Sequence, residues 1–383
     1  MPKYKITEVD NTGSLTLSEQ PNIVYIPGGA SAKTEPILCE NFDKLDNISG
    51  VDKTDASFLL AKRLLSLGMQ VLYQGFEVSE GEITIAEADW KKLEDKNLYN
   101  FRFLTTGAYA CPSAEMVTCA TKRGDCVALI DHEKYDSYAV ATVRSAFSTY
   151  TSKYAAGFTP WFSADLGAST ATSLPGSAGY LLAYARSVQT NPLWKAAAGV
   201  FRGRIPELVS VDYNYTSAEC DALQGRSNND PTSASYLDDN VDFAINPICS
   251  RRYSGFAGGF NYVLFGNRTL LTPGEDGMKA TNFLNVRLLI SEISKTLYDA
   301  STTYTFEQNS DVLWVNFKAL ITPLLDKMQA GEGIAGYRLD RIATKAKARL
   351  CARITIVPIE AVEDFELEIY LEDSLDASLE VRG

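Results

Sequence analysis

Histidine is almost absent from this chain of 383 residues, which has a single one, His132. Its seven cysteines are dispersed and include no CxxC pair. Structural zinc sites combine closely spaced cysteines with histidine, so we expect no metal site and no cofactor. We interpret the cysteines as reduced thiols that pack as small apolar side chains.

Excess basic charge and long apolar runs are lacking as well. The net charge of −12 argues against nucleic acid as a main partner, because phosphate binding needs a basic surface. No run approaches the roughly 18 apolar residues of a membrane span, and the N-terminus lacks the basic-then-apolar pattern of a signal peptide. We therefore expect no membrane insertion, and we expect synthesis and assembly in the cytoplasm.

Catalytic motifs are scarce. The segment GEGIAG, Gly331 to Gly336, has the letters of a dinucleotide-binding motif, but a predicted helix precedes it where that motif needs a strand. We interpret it as a helix stop and a turn. His132 beside Asp131 or Asp136 is the candidate for acid–base chemistry, with Asp131 the partner in the alternative enzyme; no G-x-S-x-G occurs that would supply the activated serine of a triad. An α/β hydrolase-like enzyme that uses this pair is the alternative function.

Alternating strands and helices are what the chain has in abundance. From about Thr54, helices alternate with apolar segments such as CVALID, Cys126 to Asp131, which predicts a largely parallel sheet covered by helices. A second compact unit runs from about Val241 to Pro358. It contains predicted helices at Thr281–Ala300 and Asp311–Met328. The predicted fold class is α/β followed by α+β.

Period-two alternation distinguishes FELEIYLE, Phe365 to Glu372, near the C-terminal end. This pattern predicts a strand with one exposed face. Ile23 to Ile26 form another short apolar segment, which Pro27 to Gly29 terminate. A strand at a chain end either lies on its own domain or is donated to another molecule.

Two blocks of opposite charge lie close together in the last quarter of the chain. Basic residues are concentrated between Arg338 and Arg353, and acidic residues between Glu360 and Glu380. Such blocks suit charge-matched contact between copies of one chain. A solvated basic face explains the first block equally well.

Several short segments stand out by their order and spacing. FEQNSDVLW, Phe306 to Trp314, has the form F-E-x-N-x-x-x-x-W, and FLNVRLLISEIS, Phe283 to Ser294, contains N-V-R. The other segments are FGNRTLL (265–271), AINPIC (244–249), YAAGFTPWF (154–162), PGSAGYLLAYAR (175–186) and NPLWKAAAG (191–199). Together they resemble the tail sheath proteins of contractile phage tails and related contractile injection systems. The chain departs from the pattern of that family at Leu288, where a second arginine is usual, and at Ala197, where a proline is usual.

The resemblance implies structural roles for these residues. It implies that Phe306, Asn309 and Trp314 anchor the core of an inner domain. Asn309 and Asp311 are predicted to cap the helix that carries Trp314. It also implies a tube-facing helix, which we assign to Arg287, Glu292 and Lys295.

The resemblance further implies a division of the chain into four parts. These are an N-terminal arm (1–30), an outer α/β domain (31–205), an inner tube-facing domain (206–360) and a C-terminal arm (361–383). Each arm would add a strand to the sheet of a neighbouring subunit. The arm residues expected between subunits are Val24, Tyr25, Ile26, Phe365, Leu367, Ile369 and Leu371.

The function implied is that of a sheath subunit, which polymerises as stacked rings or a helix around an inner tube and contracts by rigid-body movement. The implied partners are other copies of the chain, the inner tail tube protein, and baseplate and tail terminator proteins. The chain would belong to a virion tail or an extracellular contractile particle. Besides the enzyme, a non-contractile capsid or baseplate component is a further alternative.

Overall fold

The computed structural model describes residues 20–79, 81–109, 113–225, 242–255, 260–274, 278–343, 349–359 and 361. Its strands are β1 (Ile23–Gly29), β2 (Ile37–Cys39), β3 (Gln70–Phe76), β4 (Val78–Ser79), β5 (Glu82–Ile83), β6 (Phe103–Leu104), β7 (Val127–Asp131), β8 (Ala155–Thr159), β9 (Phe162–Ala164), β10 (Thr172–Leu174), β11 (Leu208–Val211), β12 (Asn246–Arg252), β13 (Phe260–Leu264), β14 (Ile334–Ile342) and β15 (Cys351–Pro358). Its α-helices are α1 (Phe42–Asp46), α2 (Ala56–Ser66), α3 (Glu87–Glu94), α4 (Ser113–Arg123), α5 (Val140–Phe147), α6 (Gly176–Thr190), α7 (Gly199–Arg202), α8 (Ser217–Leu223), α9 (Leu284–Thr303) and α10 (Asp311–Ala330).

An eight-stranded sheet forms the centre of the larger unit. Its strand order is β13-β12-β8-β7-β6-β1-β3-β2. The six inner strands are parallel, and β13 and β2 pair antiparallel at the two edges. The largely parallel sheet predicted from the alternation of elements is therefore confirmed.

Both faces of this sheet are covered by helices. Val24 and Ile26 of β1 belong to a core on one face, to which α2 and α6 contribute. Ile23 and Tyr25, which alternate with them, belong to a second core with α3, α4, α5 and α8. The period of two along a strand sends successive side chains to opposite faces, so β1 is buried on both.

The assignment of Val24, Tyr25 and Ile26 to an inter-subunit arm is wrong. β1 pairs with β3 along its whole length, and Val24 and Tyr25 also pair with β6. Both edges of the strand are thus occupied within its own chain. The uninterrupted apolar run is typical of a central parallel strand and not of a donated one. The other predicted arm residues, Phe365, Leu367, Ile369 and Leu371, lie outside the described residues.

A smaller unit follows the sheet and has its own core. The helices α9 and α10 pack with the antiparallel hairpin of β14 and β15 around a cluster that also includes Trp194. Because β12 and β13 belong to the central sheet, the boundary predicted between residues 205 and 206 does not separate the two units. The two long predicted helices are confirmed, each with small shifts of its ends.

The segment GEGIAG contains the predicted helix stop and turn: residues 331–333 connect α10 to β14, and Ile334 to Gly336 begin that strand. Gly331 ends the helix, and Trp194 packs directly on the turn. The indole Nε1 of Trp194 donates a hydrogen bond of 2.7 Å to the carbonyl oxygen of Gly331. A Cβ atom at Gly331 would lie 2.7 Å from the indole ring, and one at Gly333 would lie 3.0 Å from it. The glycines therefore serve close packing between the two units.

Candidate functional site

The helix predicted to face a tube is buried inside the chain. Arg287, Glu292 and Lys295 of α9 are 3%, 1% and 5% exposed. Their side chains point at the amino ends of β6, β7 and β8. The assignment of these three residues to a tube-facing surface is therefore wrong.

Electrostatic contacts hold α9 against the amino ends of the central strands. Glu292 accepts a hydrogen bond of 2.6 Å from Arg102, just before β6, and one of 2.9 Å from the backbone N–H of Gln20. Lys295 Nζ donates to the carbonyl oxygen of Phe101 at 2.6 Å. Burial lowers the pKa of Lys295 to about 8. Buried charges are tolerated only when paired, so this layer requires a fixed arrangement of α9 and the sheet.

The sequence does contain one sign of this contact. Arg102 stands between Phe101 and Phe103, so a charge interrupts an apolar run at the head of a strand. Such a charge needs a buried partner. Glu292, 190 positions later in the sequence, could not be identified as that partner without the tertiary structure.

The motif FEQNSDVLW divides into one exposed and one packed part. Phe306 is fully exposed, with a positive φ of 76°, so its assignment as a core anchor is wrong. Trp314 is half-buried and stacks on Phe317 in the core of the smaller unit. Ser310 is the N-cap of α10, with its hydroxyl accepting from the backbone N–H of Leu313 at 3.2 Å. Asn309 instead bonds to Arg349 and Arg341.

Asp131 links the carboxyl end of β7 to the start of α6. Its carboxyl oxygens accept from the backbone N–H of Ser177 at 2.7 Å and from the Ser177 hydroxyl at 2.6 Å. Burial raises the pKa of Asp131 to about 7, and the hydrogen bonds from Ser177 oppose that rise. These hydrogen bonds hold the start of α6 against the carboxyl end of β7.

His132 has a different hydrogen-bond partner from Asp131. Its Nε2 donates to the carbonyl oxygen of Ser137 at 3.1 Å, and its ring packs edge-on against Tyr138. Burial lowers the pKa of His132, which favours the neutral ring. The predicted acid–base pair is therefore not assembled as a pair, because each residue is bound to a different backbone segment.

The hairpin of β14 and β15 is the most open part of the smaller unit. Tyr337, Ile354 and Ile356 pack on its core, whereas Arg338 and Thr355 form an exposed cross-strand pair. In the part of the chain that the structure describes, this sheet has two strands. The outer edge of each strand therefore presents backbone groups that could bind a further strand.

Two further features are absent from the described residues. No described helix combines the length and the apolar character needed to cross a bilayer. Within the same residues, no three His, Cys, Asp or Glu side chains form a group suited to a metal ion.

Neither a protein-family model nor a curated protein sequence matches this chain. Its three-dimensional structure, in contrast, is similar to that of a chain in the sheath complex of PVC, an extracellular contractile injection system, in the contracted state. The TM-score is 0.72 at 17% sequence identity, and the similarity covers 97% of this chain and 98% of that chain. The chain has the sheath fold.

Two further structures extend the similarity. A chain of the anti-feeding prophage baseplate gives a TM-score of 0.62 at 14% identity, over 97% of this chain and all of that one. The sheath tail protein of Desulfitobacterium hafniense gives 0.57 at 9% identity, over 92% of this chain and all of that one. The sheath fold thus accounts for nearly the whole chain, including both the central sheet and the smaller unit.

Proposed function

We propose that this chain is the structural subunit of a contractile sheath, which polymerises as stacked rings or a helix around an inner tube. The observation that supports this most strongly is its similarity to the PVC sheath chain over nearly the full length of both. Contraction would proceed by rigid-body movement of subunits towards better-packed contacts, without nucleotide or metal.

The exposed hairpin supports strand exchange between subunits. Both outer edges of the β14–β15 sheet are available in the described structure. Its exposed face contains Arg338, Arg353 and Thr355, together with Asp340, which is ion-paired with Arg338 and leaves a net positive charge on this face. An acidic segment with alternating apolar residues, such as Phe365 to Glu372 of a neighbouring copy, matches this edge in charge and pattern. We propose that the C-terminal arm, and an N-terminal arm that ends before Gln20, bind there, because Gln20 and Asn22 are hydrogen-bonded within their own chain.

The smaller unit would face the tube, and the central-sheet unit would face outward. Because the predicted residues of α9 are buried, we propose that the tube contact involves the exposed side of α10. Val312 and Val315 lie on that side and are 67% and 61% exposed. The substitution Val315→Glu should then reduce co-assembly with a tube while polymers of the sheath alone still form.

The further partners proposed are an inner tail tube protein, a baseplate and a tail terminator. Assembly in the cytoplasm of a host bacterium would precede incorporation into a virion tail or an extracellular particle. These proposals rest on the sheath fold and on the resemblance of the sequence segments.

Electron microscopy of the purified chain tests the proposed function. The full chain should form hollow tubular polymers, and a chain ending at residue 361 should not. Thr355→Glu, which places an acid beside Arg338 and opposite the acidic arm, should shorten the polymers; Thr355→Val is the matched control. Small closed oligomers would favour an enzyme, and closed rings alone would favour a non-contractile component; either result would contradict the proposal.

A further inference from the structure

A cavity of about 420 Å³ lies at the junction of the two units, beside the point where β15 ends. Its walls come from residues 194–198, from α7, from the loop after β13 and from the turn between α10 and β14. Ile359 and Ala361, which follow β15, belong to the lining too. The backbone N–H of Ile359 donates to the carbonyl oxygen of Gly333 at 3.1 Å, which fixes the end of the strand at this place.

The most buried polar residues of the lining satisfy one another. Asn267 Nδ2 donates to Asn285 Oδ1 at 2.7 Å, and Asn285 Nδ2 donates to the carbonyl oxygen of Trp194 at 2.9 Å. The aromatic residues Trp194 and Phe265 add apolar surface to the same lining. The cavity is therefore held open by groups that need no ligand, and it offers apolar surface to an occupant.

Positive charge predominates around the cavity. Its charged lining residues are Lys195, Arg202, Arg268 and Glu332. Lys195 and Glu332 pair with each other at 2.6 Å, and Arg268 packs over the ring of Phe283 at 4.6 Å. The exposed Arg202 donates through Nε to the carbonyl oxygen of Ala196 at 2.8 Å, but it forms no ion pair with any residue that the structure describes. Arg202 is thus a cation at the cavity that lacks a carboxylate partner.

We propose that residues 362–364 of the same chain bind in this cavity and so fix the direction in which the C-terminal arm leaves its subunit. They follow directly on Ala361, which is part of the lining. At roughly 3.3 Å per residue, three residues reach about 10 Å from that point. The proposal concerns the arm within its own subunit and holds wherever the later residues, from Phe365 onward, bind. It is therefore independent of the proposed strand exchange.

The chemistry of this segment matches the lining. Val362 is an apolar side chain suited to the aromatic wall, and Glu363 and Asp364 are carboxylates, one of which would pair with Arg202. An exposed ion pair and one apolar contact are each weak. A tethered segment is nevertheless present at high effective concentration, so that weak contacts suffice to keep it bound.

Disulfide cross-linking in the full chain tests the proposal. Ala198→Cys places a thiol in the lining, and Asp364→Cys places one in the segment while Glu363 remains to pair with Arg202. Cys351→Ser removes a partly exposed native thiol. The dilute protein is treated briefly with copper–phenanthroline, quenched with acid, digested without reduction and analysed by mass spectrometry. We expect a peptide pair linked through positions 198 and 364, formed within single chains.

Ala335→Cys is the matched control for simple tethering. Ala335 is exposed on β14, close to the end of β15, but it does not line the cavity. Linkage of position 364 to position 198 should form about tenfold faster than linkage to position 335, because binding raises the effective concentration above that of a free tether. Arg202→Glu should remove this preference, and Arg202→Lys should retain it.

Three results would overturn the proposal. They are equal rates of linkage to positions 198 and 335, an undiminished preference in Arg202→Glu, and linkage of position 198 between different chains only, which would show that the cavity receives the arm of a neighbour. If Ala198→Cys fails to fold, Glu332→Cys, an exposed position of the same lining, replaces it. Failure of the unmodified chain to form polymers, with the predicted linkage present, would contradict the proposed sheath function alone.

Discussion

Arg102 and Glu292 form an ion pair of 2.6 Å in which both side chains are buried, at 0% and 1% exposure. Arg102 precedes β6 of the central sheet, and Glu292 is in the middle of α9. Since α9 also belongs to the core of the smaller unit, the pair joins the two units of the sheath fold. Its geometry gives the first prediction.

Glu292→Gln should destabilise the chain by about 3–5 kcal/mol, because it leaves the Arg102 charge buried without its partner. The double substitution Arg102→Met and Glu292→Met should cost less than the sum of the single ones. Urea denaturation of the wild type, Arg102→Met, Glu292→Met and the double variant measures this coupling. Glu87→Gln, in the exposed ion pair with Lys91, is the control and should change little. Additive effects of the two buried substitutions would contradict the prediction.

Gly331→Ala should destabilise the chain by about 1–3 kcal/mol through overpacking against Trp194. The added methyl group would meet a rigid indole at 2.7 Å. Gly336→Ala, in the same motif, is the matched control because a Cβ there has open space. Thermal unfolding of both variants checks the difference; equal melting temperatures would argue against packing on Trp194.

Asp131→Asn should change how stability depends on pH. The native carboxyl group keeps its proton up to a pKa of about 7, whereas the unfolded chain loses it near 3.8. The wild type therefore loses stability from this group as pH rises through that window, and the variant does not. Urea denaturation across the window should show Asp131→Asn gaining stability relative to the wild type. The exposed Asp136→Asn is the control, and parallel curves for Asp131→Asn would refute the assignment.

Ser310→Ala should lower the free energy of unfolding by about 1 kcal/mol, because the first turn of α10 loses its capping oxygen. Asn309→Ala should have a smaller effect, since Asn309 is exposed and does not cap the helix. Chemical denaturation of both variants separates the two positions. A larger effect at Asn309 would restore the capping role first predicted from the motif.

The sequence by itself predicted some parts of this fold. The alternation of helices and apolar strands predicted the parallel sheet, and the helical periods of α9 and α10 placed both helices correctly. The order of short segments led to the sheath fold, which the structural similarity confirms. Local periodicity and chain order were sufficient because each of these features is determined by neighbouring residues.

The sequence did not show which residues are buried by contacts with distant parts of the chain. The tertiary structure alone shows that β1 lies between two strands of its own sheet. It also shows that the amino ends of β6, β7 and β8 cover the charged residues of α9, and that Phe306 is exposed. The physical reason is that periodicity shows which side of an element is apolar, whereas the partner that covers it is chosen by contacts across 100 or more residues, such as Arg102 with Glu292.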